Sequence, residues 1–329
     1  MLRVLVAARR AAGDGVAAEE IVDFLEASFG AFQEVQRNGA WRWSRNDLSA
    51  ALDDLARHEL VEPQADGRFC LTSLGRLAGE GLCEVSSIVR LVDCLRPIAP
   101  EDISDPALIT AVQTTAELDR VLFPINKKST QKEPQTWAQE LRRQGVTDFL
   151  LGSLRQGTTE PHVATLRAKK AVACLLYVSG GPMDEIEHVL TQFGGAFGGA
   201  AGPIRGVASR TCDLLSTAVR IAEFLHPGLD MSERSGRLAL RLELGITGLA
   251  VDLARQTGAR LSRGDYRRLA AAALAAPDQI DAAEDASLLA CLDGDRAKLG
   301  LVRESTKATR ERERRMAAQK TPILEAYEP

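Results

Sequence analysis

The chain has 329 residues, of which 45% are hydrophobic and 26% charged, and its net charge at pH 7 is −4. This length is enough for a sizeable core in about two or three domains. The net negative charge excludes a general electrostatic trap for polyanions, so any nucleic-acid contact needs a local basic patch. No apolar run reaches the length of a membrane span and no signal peptide is recognisable, which predicts a cytoplasmic protein.

The residues that most often carry chemistry are scattered. The six cysteines include no CxxC pair, which favours buried, reduced thiols over a zinc site or a disulfide framework. The four histidines have no spaced partners, and no Gly-rich loop of the form GxxxxGKS or GxxxxGKT occurs. The sequence therefore predicts no catalytic site, no metal and no cofactor, and a chain that is not an enzyme on its own.

The N-terminal region has the element order of a winged helix. Two helices, Leu2–Ala12 and Ala17–Phe29, precede a third helix that begins with a capping box over Ser44–Asp47. A hairpin follows, with its turn at Ala65–Gly67. This succession predicts a winged-helix domain over residues 1–96.

A winged helix often reads DNA with its third helix. Here the third helix carries Asp53 and Asp54, and Glu59 follows it, so acidic groups oppose the basic ones. Acidic groups repel phosphates, which favours a packing adaptor over a DNA reader, and both interpretations stay open.

The chain is helical from Pro106 onward. Apolar periodicity and Gly or Pro breaks predict these helices: Pro106–Glu117, Pro134–Arg143, Val146–Leu154, Glu160–Val178, Pro182–Phe193, Ala208–Leu225, Glu233–Leu242, Ile246–Gln256, Gly264–Ala273 and Asp278–Ala290. We therefore predict a mainly α fold: a helical bundle over 97–230, a small helical domain over 231–302 and a basic tail over 303–329.

The stretch Pro203–Gly228 organises this helical part. Its apolar stripe predicts a buried side, formed by Val207, Thr211, Leu214, Ala218, Ile221 and Leu225. A second stripe carries Arg210, Asp213, Thr217 and Arg220, which places the two arginines on one side, roughly 15 Å apart. This side is either a solvated face of a core helix or a surface that follows a phosphate backbone.

Three further basic groups are candidates for phosphate contact. Lys127 and Lys128 lie on a predicted loop, where either solvent or a phosphate is their partner. Another group, Arg260, Arg263 and Arg267, lies in and just after a segment bounded by Gly258 and Gly264. This segment is either a structural cap on the preceding helical bundle or a weak Gly-based hairpin that contacts phosphates. The third group is the tail, which is either a solvated, partly helical arm or a segment that binds nucleic acid or an acidic partner.

Several segments in succession match one helicase family. They are Phe69–Arg76, Arg167–Ala171, Ser179–Met183, Arg210–Leu215, Arg220–Ala222 and Arg241–Ile246. In order and spacing, most of residues 1–302 resembles the C-terminal region of superfamily 2 helicases of the Ski-like branch. That branch includes archaeal DNA-repair helicases and bacterial DEAD/DEAH-box relatives.

The resemblance implies a winged helix, a helical ratchet domain and a helix-hairpin-helix-like segment. It also implies that Arg210, Thr217 and Arg220 contact single-stranded nucleic acid emerging from a motor. Asp213 stands near a position where the archaeal members place an aromatic residue that stacks on bases. Here Asp213 instead has the i,i+3 spacing that lets it orient Arg210.

Two functions of different classes follow. The first is an accessory module that guides single-stranded DNA or RNA, with DNA favoured, for a helicase motor carried on another chain. The alternative is a helicase-derived structural or regulatory scaffold that binds a protein partner. A winged-helix transcription regulator is disfavoured, because nothing in the sequence specifies a dimer or a base-reading helix.

Overall fold

The computed structural model describes residues 2, 4–7, 15–41, 44–81, 83–125, 132–193 and 201–324. Helices hold 72% of the residues and strands 3%, which confirms the predicted mainly helical fold class. Contacts group the chain into two compact units. The first unit consists of Met1–Ile103, Thr114–Glu117 and Ser216–Leu229, and the second of Ser104–Gln113, Leu118–Leu215 and Asp230–Pro329.

The first unit combines a small antiparallel sheet with helices. Its strands are β1 (Val16–Ala17), β2 (Val61–Pro63) and β3 (Arg68–Leu71), in the sheet order β1-β3-β2. Residues 2 and 4–7 are helical. The helices that follow β1 and precede residue 100 are α1 (Ala18–Glu26), α2 (Phe29–Asn38), α3 (Arg45–Arg57), α4 (Ser73–Glu80) and α5 (Val85–Leu95), and a 3-10 turn follows at Pro100–Asp102.

The start of α3 has the predicted capping box. Ser44 Oγ accepts a hydrogen bond from the Asp47 amide (3.2 Å), and the Asp47 carboxylate accepts one from the Ser44 amide (2.8 Å). These bonds satisfy amides that the first turn of a helix leaves unpaired. The bonds from Ser44 also lower the pKa of Asp47.

Thr72 caps α4 and holds it against the chain that enters β2. Thr72 Oγ1 accepts from the Gly75 amide (2.9 Å) and donates to the Glu59 carbonyl (2.6 Å). A Cβ at Gly75 would overlap the carbonyl of Leu60. The close approach of α4 to this backbone therefore requires glycine.

The second unit is built from helices. They are α6 (Asp105–Val112), α7 (Ala116–Asp119, shared with the first unit), α8 (Lys132–Arg143), α9 (Asp148–Ser153), α10 (Pro161–Val178), α11 (Met183–Thr191), α12 (Ala201–Leu225, also shared), α13 (Ser232–Leu244), α14 (Val251–Thr257), α15 (Arg263–Ala271), α16 (Pro277–Ala282), α17 (Asp285–Cys291) and α18 (Arg296–Leu324). Short 3-10 turns at Gly248–Ala250 and Gly258–Arg260 flank α14.

The C-terminal helices of the second unit share one hydrophobic core. Its largest buried members include Ile246, Leu253, Leu261, Tyr266, Leu269, Ile280, Leu288 and Val302. Because Val302 belongs to this core, the first turns of α18 are anchored to it, and the predicted basic tail from Arg303 continues the same helix up to Leu324.

Some helix boundaries differ from the predicted ones. Helix α12 begins at Ala201 rather than Ala208 and includes Pro203, which the first turn tolerates because amides there have no intrahelical partner. The helix predicted over Ala17–Phe29 ends at Glu26, since Ser28 caps a new helix by accepting from the Ala31 amide (3.2 Å).

The helix predicted over Asp278–Ala290 is two helices, α16 and α17. The predicted division into 1–96, 97–230, 231–302 and 303–329 stays a prediction.

Candidate nucleic-acid interface

Helix α12 has the buried side that its periodicity predicts, except that Leu225 at its C-terminal end is only half-buried. The side chains that are almost completely buried include Ile204, Val207, Thr211, Leu214, Ala218 and Ile221. On its other side, Arg210 Nη1 lies 3.3 Å from Asp213 Oδ2, which confirms the expected i,i+3 pair. Both side chains remain solvent-accessible, at 35% and 53%. An exposed ion pair contributes only about 0–1 kcal/mol to stability. A phosphate can therefore replace Asp213 as the partner of Arg210.

The last part of α12, in the first unit, carries the other two predicted contacts. Arg220 is exposed, and its Nη2 lies 3.9 Å from Glu80 Oε2. Thr217 is half-buried. The ion pair of Arg220 is long and exposed, so it leaves the guanidinium available for another anion.

Arg260 is engaged at a helix end. Its Nε donates to the Thr257 carbonyl (3.2 Å), and its Nη2 donates to the Gln256 carbonyl. These carbonyls end α14, where a cation complements the negative end of the helix dipole. The structure therefore gives Arg260 a capping role.

Arg263 is fixed by packing and by one strong hydrogen bond. Its Cζ lies 5.0 Å from the centre of the Tyr177 ring, and its Nη2 donates to the Gly181 carbonyl (2.6 Å). Its Nε is buried without a hydrogen-bond partner. A Cβ at Gly245, whose φ is +67°, would lie 2.6 Å from that Nε and would overlap the Tyr177 ring. Glycine at position 245 thus permits the stack.

Two exposed arginines lie near this stack. Burial lowers the pKa of Arg263, and the positive charges of Arg267 and Arg205 lower it further. Burial raises the pKa of Tyr177, whereas the charges of Arg263 and Arg205 and a hydrogen bond from Arg205 oppose that rise. The pKa values of both residues of this stack therefore respond to the charge of Arg205.

No protein-family model matches the chain, and no curated protein matches it. The chemistry of the residues must therefore support any functional conclusion.

Sequence reasoning selected Arg263 and Arg267 but missed Arg205. The predicted stripe runs from Arg210 to Arg220, and the predicted helix begins at Ala208, after Arg205. Had the helix been extended through Pro203, Arg205 would have appeared in its first turns. The effect of Arg205 on the pKa of Tyr177, a residue of α10, depends on the tertiary structure and has no local signal in the sequence.

The basic run at the centre of α10 is internal. Arg167, Lys169 and Lys170 are each only 1% exposed. The Arg167 guanidinium donates to both carboxylate oxygens of Asp119 (2.8 and 2.6 Å), and Lys170 Nζ donates to the Leu118 carbonyl (2.6 Å). These three cations hold the second unit together and are not available to a phosphate backbone.

Lys127 and Lys128 lie outside the described residues. Within the described ranges, no group of three or more His, Cys, Asp or Glu side chains could hold a metal ion. No helix in the same part of the chain has the length and hydropathy needed to cross a membrane.

The second unit contains a cavity of about 670 Å³ between α8, α9 and α10. Among its lining residues, His162 Nε2 lies 3.2 Å from Glu160 Oε2, and Thr158 and Thr165 add hydroxyl groups. Glu160 is 65% exposed, and the cavity opens to solvent.

Proposed function

We propose that this chain is an accessory nucleic-acid-binding module of a superfamily 2 helicase, guiding a single strand for a motor outside this chain. The observation that supports this most directly is the exposed side of α12, where arginines reach solvent opposite a largely buried side. Planar guanidinium groups bind phosphate oxygens in a bidentate manner, and arginine is favoured wherever phosphate is recognised.

The finer architecture belongs to the same proposal. The order β1, three helices, β2 and β3 supports a winged helix, and the antiparallel register of Val61 with Leu71 gives the wing. Helix α3 carries exposed acidic side chains, with Asp54 paired to Arg57 at 2.9 Å, so we assign this winged helix to packing rather than to reading DNA. Residues 97–230 are proposed as the ratchet domain, and 231–302 as the helix-hairpin-helix-like domain.

In this function the chain holds the strand while the motor supplies the energy of ATP hydrolysis. Arg210 exchanges Asp213 for a phosphate, and Arg220 exchanges Glu80. Thr217 is proposed to donate a hydroxyl to the same backbone. No aromatic side chain is proposed for base stacking on α12, so binding is dominated by phosphate contacts and is steeply salt-dependent.

The test is fluorescence anisotropy with a labelled single-stranded oligonucleotide at two salt concentrations. Wild type is compared with Arg210→Ala and with Arg220→Ala, each measured separately. Each lost contact should weaken binding and make the slope of log affinity against log salt shallower by about 0.7. The control is Arg142→Ala on α8, an exposed arginine paired with Asp148 at 2.7 Å. If wild type fails to bind at low salt, guidance by this chain alone is refuted.

Partner and location are part of the proposal. DNA is proposed as the preferred strand, no cofactor is required by this chain, and the protein acts in the cytoplasm of a bacterium. Deoxyribose and ribose oligonucleotides of one sequence, compared at equal salt, test the strand preference. Tighter binding of the ribose strand would reverse it.

A second function, a scaffold that binds a protein partner, is supported by aromatic residues of the first unit. Phe24, Phe29 and Phe32 are 56%, 71% and 57% exposed. The rings of Phe29 and Phe32 stack with centroids 6.3 Å apart. Exposed aromatic clusters of this kind often mark protein interfaces. The test measures binding of helicase motor domains to wild type and to Phe29→Ser/Phe32→Ser. Binding to wild type that is lost in the variant would support the scaffold function.

A further inference from the structure

The cavity of about 670 Å³ in the second unit is lined mainly by apolar side chains. Two helices face it with short side chains at i,i+4 spacing: Pro134 and Ala138 from α8, and Ala164 and Ala168 from α10. Residues at this spacing lie on one side of a helix, so both helices turn a row of short side chains toward the same space. Pockets that bind small molecules commonly measure about 300–1,000 Å³ and are mostly apolar, as this one is.

One wall of the cavity, the segment from Leu154 to Glu160, is fixed from inside the protein. Arg167, which is only 1% exposed, donates from Nη1 to the Leu154 carbonyl (2.8 Å) and to the Gln156 carbonyl (2.7 Å). Within the segment, the Glu160 amide donates to Thr158 Oγ1 (3.1 Å). A wall that is already ordered loses little conformational entropy when a ligand binds.

This wall also carries hydrogen-bond donors. Arg155 lines the cavity, is exposed and, within the described ranges, forms no ion pair with a carboxylate. By contrast, Arg142 of α8 is paired with Asp148 at 2.7 Å. Thr158 Oγ1 already accepts a hydrogen bond from the wall, so its hydroxyl proton can be donated to a ligand. An anionic group in the cavity would therefore find a guanidinium and a hydroxyl on the same wall.

The charge of the cavity lining favours a carboxylate over a phosphate. One arginine matches one carboxylate, which it can bind through two parallel hydrogen bonds. Glu160 also lines the cavity, with its Oε2 3.2 Å from His162 Nε2. Its negative charge repels a doubly charged phosphate more strongly than a singly charged carboxylate.

We propose that this cavity binds a small molecule with an aliphatic body and one carboxylate. The aliphatic body lies against Ala138 and Ala164, and the carboxylate accepts hydrogen bonds from Arg155 and Thr158. No Phe, Tyr or Trp is among the described lining residues, which suits an aliphatic body rather than an aromatic ring that stacks. No arginine of α12 lines the cavity either, so this inference goes beyond the proposed function and does not depend on it.

The test is isothermal titration calorimetry of the full chain with octanoate, below the concentration at which octanoate forms micelles. Octanol and octyltrimethylammonium keep the chain but carry a neutral and a positive head group, and butanoate keeps the carboxylate on a shorter chain. Arg155→Gln removes the charge, whereas Ala138→Leu and Ala164→Leu fill the cavity from α8 and from α10. The matched control is Arg142→Gln, an exposed arginine of α8 that does not line the cavity.

We expect wild type to bind octanoate at least ~10-fold more tightly than butanoate, because the longer chain buries more methylene groups. Octanoate should also bind more tightly than octanol or octyltrimethylammonium. Arg155→Gln should weaken octanoate binding at least ~10-fold and change octanol binding less than ~2-fold, since only the carboxylate uses the charge. Each cavity-filling variant should lose both ligands, and Arg142→Gln should behave like wild type.

Several results would overturn the proposal. They are no octanoate binding by wild type, no dependence on chain length or head-group charge, and unchanged octanoate binding by Arg155→Gln. Octanoate binding by cavity-filling variants that urea unfolding shows to be folded would place the ligand elsewhere. If one of these variants does not fold, the other is used, and Arg155→Gln changes an exposed position and decides in either case. None of these measurements involves a nucleic acid, so their failure and the failure of the proposed function are distinguishable.

Discussion

Lys169 Nζ lies 2.7 Å from Glu133 Oε1, and the two side chains are only 1% and 0% exposed. The Trp137 indole donates to the same oxygen (3.3 Å), and its ring lies 5.5 Å from the ammonium. We predict that Lys169→Met destabilises the protein by about 3–5 kcal/mol, because it leaves the Glu133 carboxylate buried without its cation. Urea unfolding of wild type and variant measures this difference.

The double variant Glu133→Gln/Lys169→Met is the control. It removes both charges and keeps an acceptor for the Trp137 indole, so we expect it to recover most of the lost free energy of unfolding. If the single variant is as stable as the double variant, the Lys169 ammonium does not compensate the buried Glu133 charge as proposed.

Arg167 makes a set of bonds that lysine cannot reproduce. Besides its two bonds to Asp119, its Nη1 donates to the Leu154 carbonyl (2.8 Å) and to the Gln156 carbonyl (2.7 Å). Arg167→Lys should therefore lower the free energy of unfolding by about 2–4 kcal/mol although it keeps the charge. An ammonium group cannot supply the several coplanar donors of a guanidinium. Arg142→Lys, at an exposed pair, should change stability by less than about 0.5 kcal/mol. Equal effects of the two substitutions in thermal or urea unfolding would contradict this.

Lys170 should make stability rise with pH in the alkaline range. Burial lowers the pKa of Lys170 to about 8, from a usual 10.5, while Asp119 opposes this shift. Between these values the unfolded chain binds more protons than the folded chain, so the penalty of a buried ammonium is present below pH 8 and is relieved as pH rises.

The measurement compares wild type with Lys170→Met at pH 7.5 and pH 9.5. The free energy of unfolding of wild type, relative to the variant, should increase by about 1–2 kcal/mol over this interval. The contributions of groups that titrate in both proteins to the pH dependence of the free energy of unfolding cancel in the comparison. A constant difference would mean that Lys170 keeps an ordinary pKa in the folded protein.

Cys174 should resist thiol reagents in the native protein. Burial raises the pKa of Cys174 to about 12, and its Sγ lies 3.5 Å from Thr211 Oγ1. Only the thiolate is nucleophilic, so at pH 8 iodoacetamide should label the half-buried Cys70 at least ~100-fold faster than Cys174. Mass spectrometry of labelled peptides gives both rates, and unfolding in urea should equalise them. Comparable rates in the native state would show that this part of α10 opens readily.

Local signals were enough to predict much of the helical framework. The capping box of Ser44 is complete within three residues, so it is readable without tertiary context. The buried stripe of α12 was readable for the same reason, because periodicity places its side chains on one side. The start of α12 was missed, since Gly and Pro residues usually indicate a break and here lie inside its first turns.

The environment of individual cations could not be predicted in the same way. Arg263 is half-buried because Tyr177, from α10, packs against it, and the two residues are far apart in the sequence. Lys169 is buried because Glu133, also distant in the sequence, supplies its counter-charge. The sequence indicates the number of charges but not which distant carboxylate neutralises each of them.

The internal ion pairs of α10 restrict how this sequence can diverge. A replacement of Lys169 alone is strongly disfavoured, and so is a replacement of Glu133 alone, because each removes the opposite charge that compensates a buried charge. Any lineage that loses one must pass through a poorly folded intermediate or change both positions together. We therefore expect homologous chains to keep both charges or neither, so a substitution at one of these positions should predict the residue at the other.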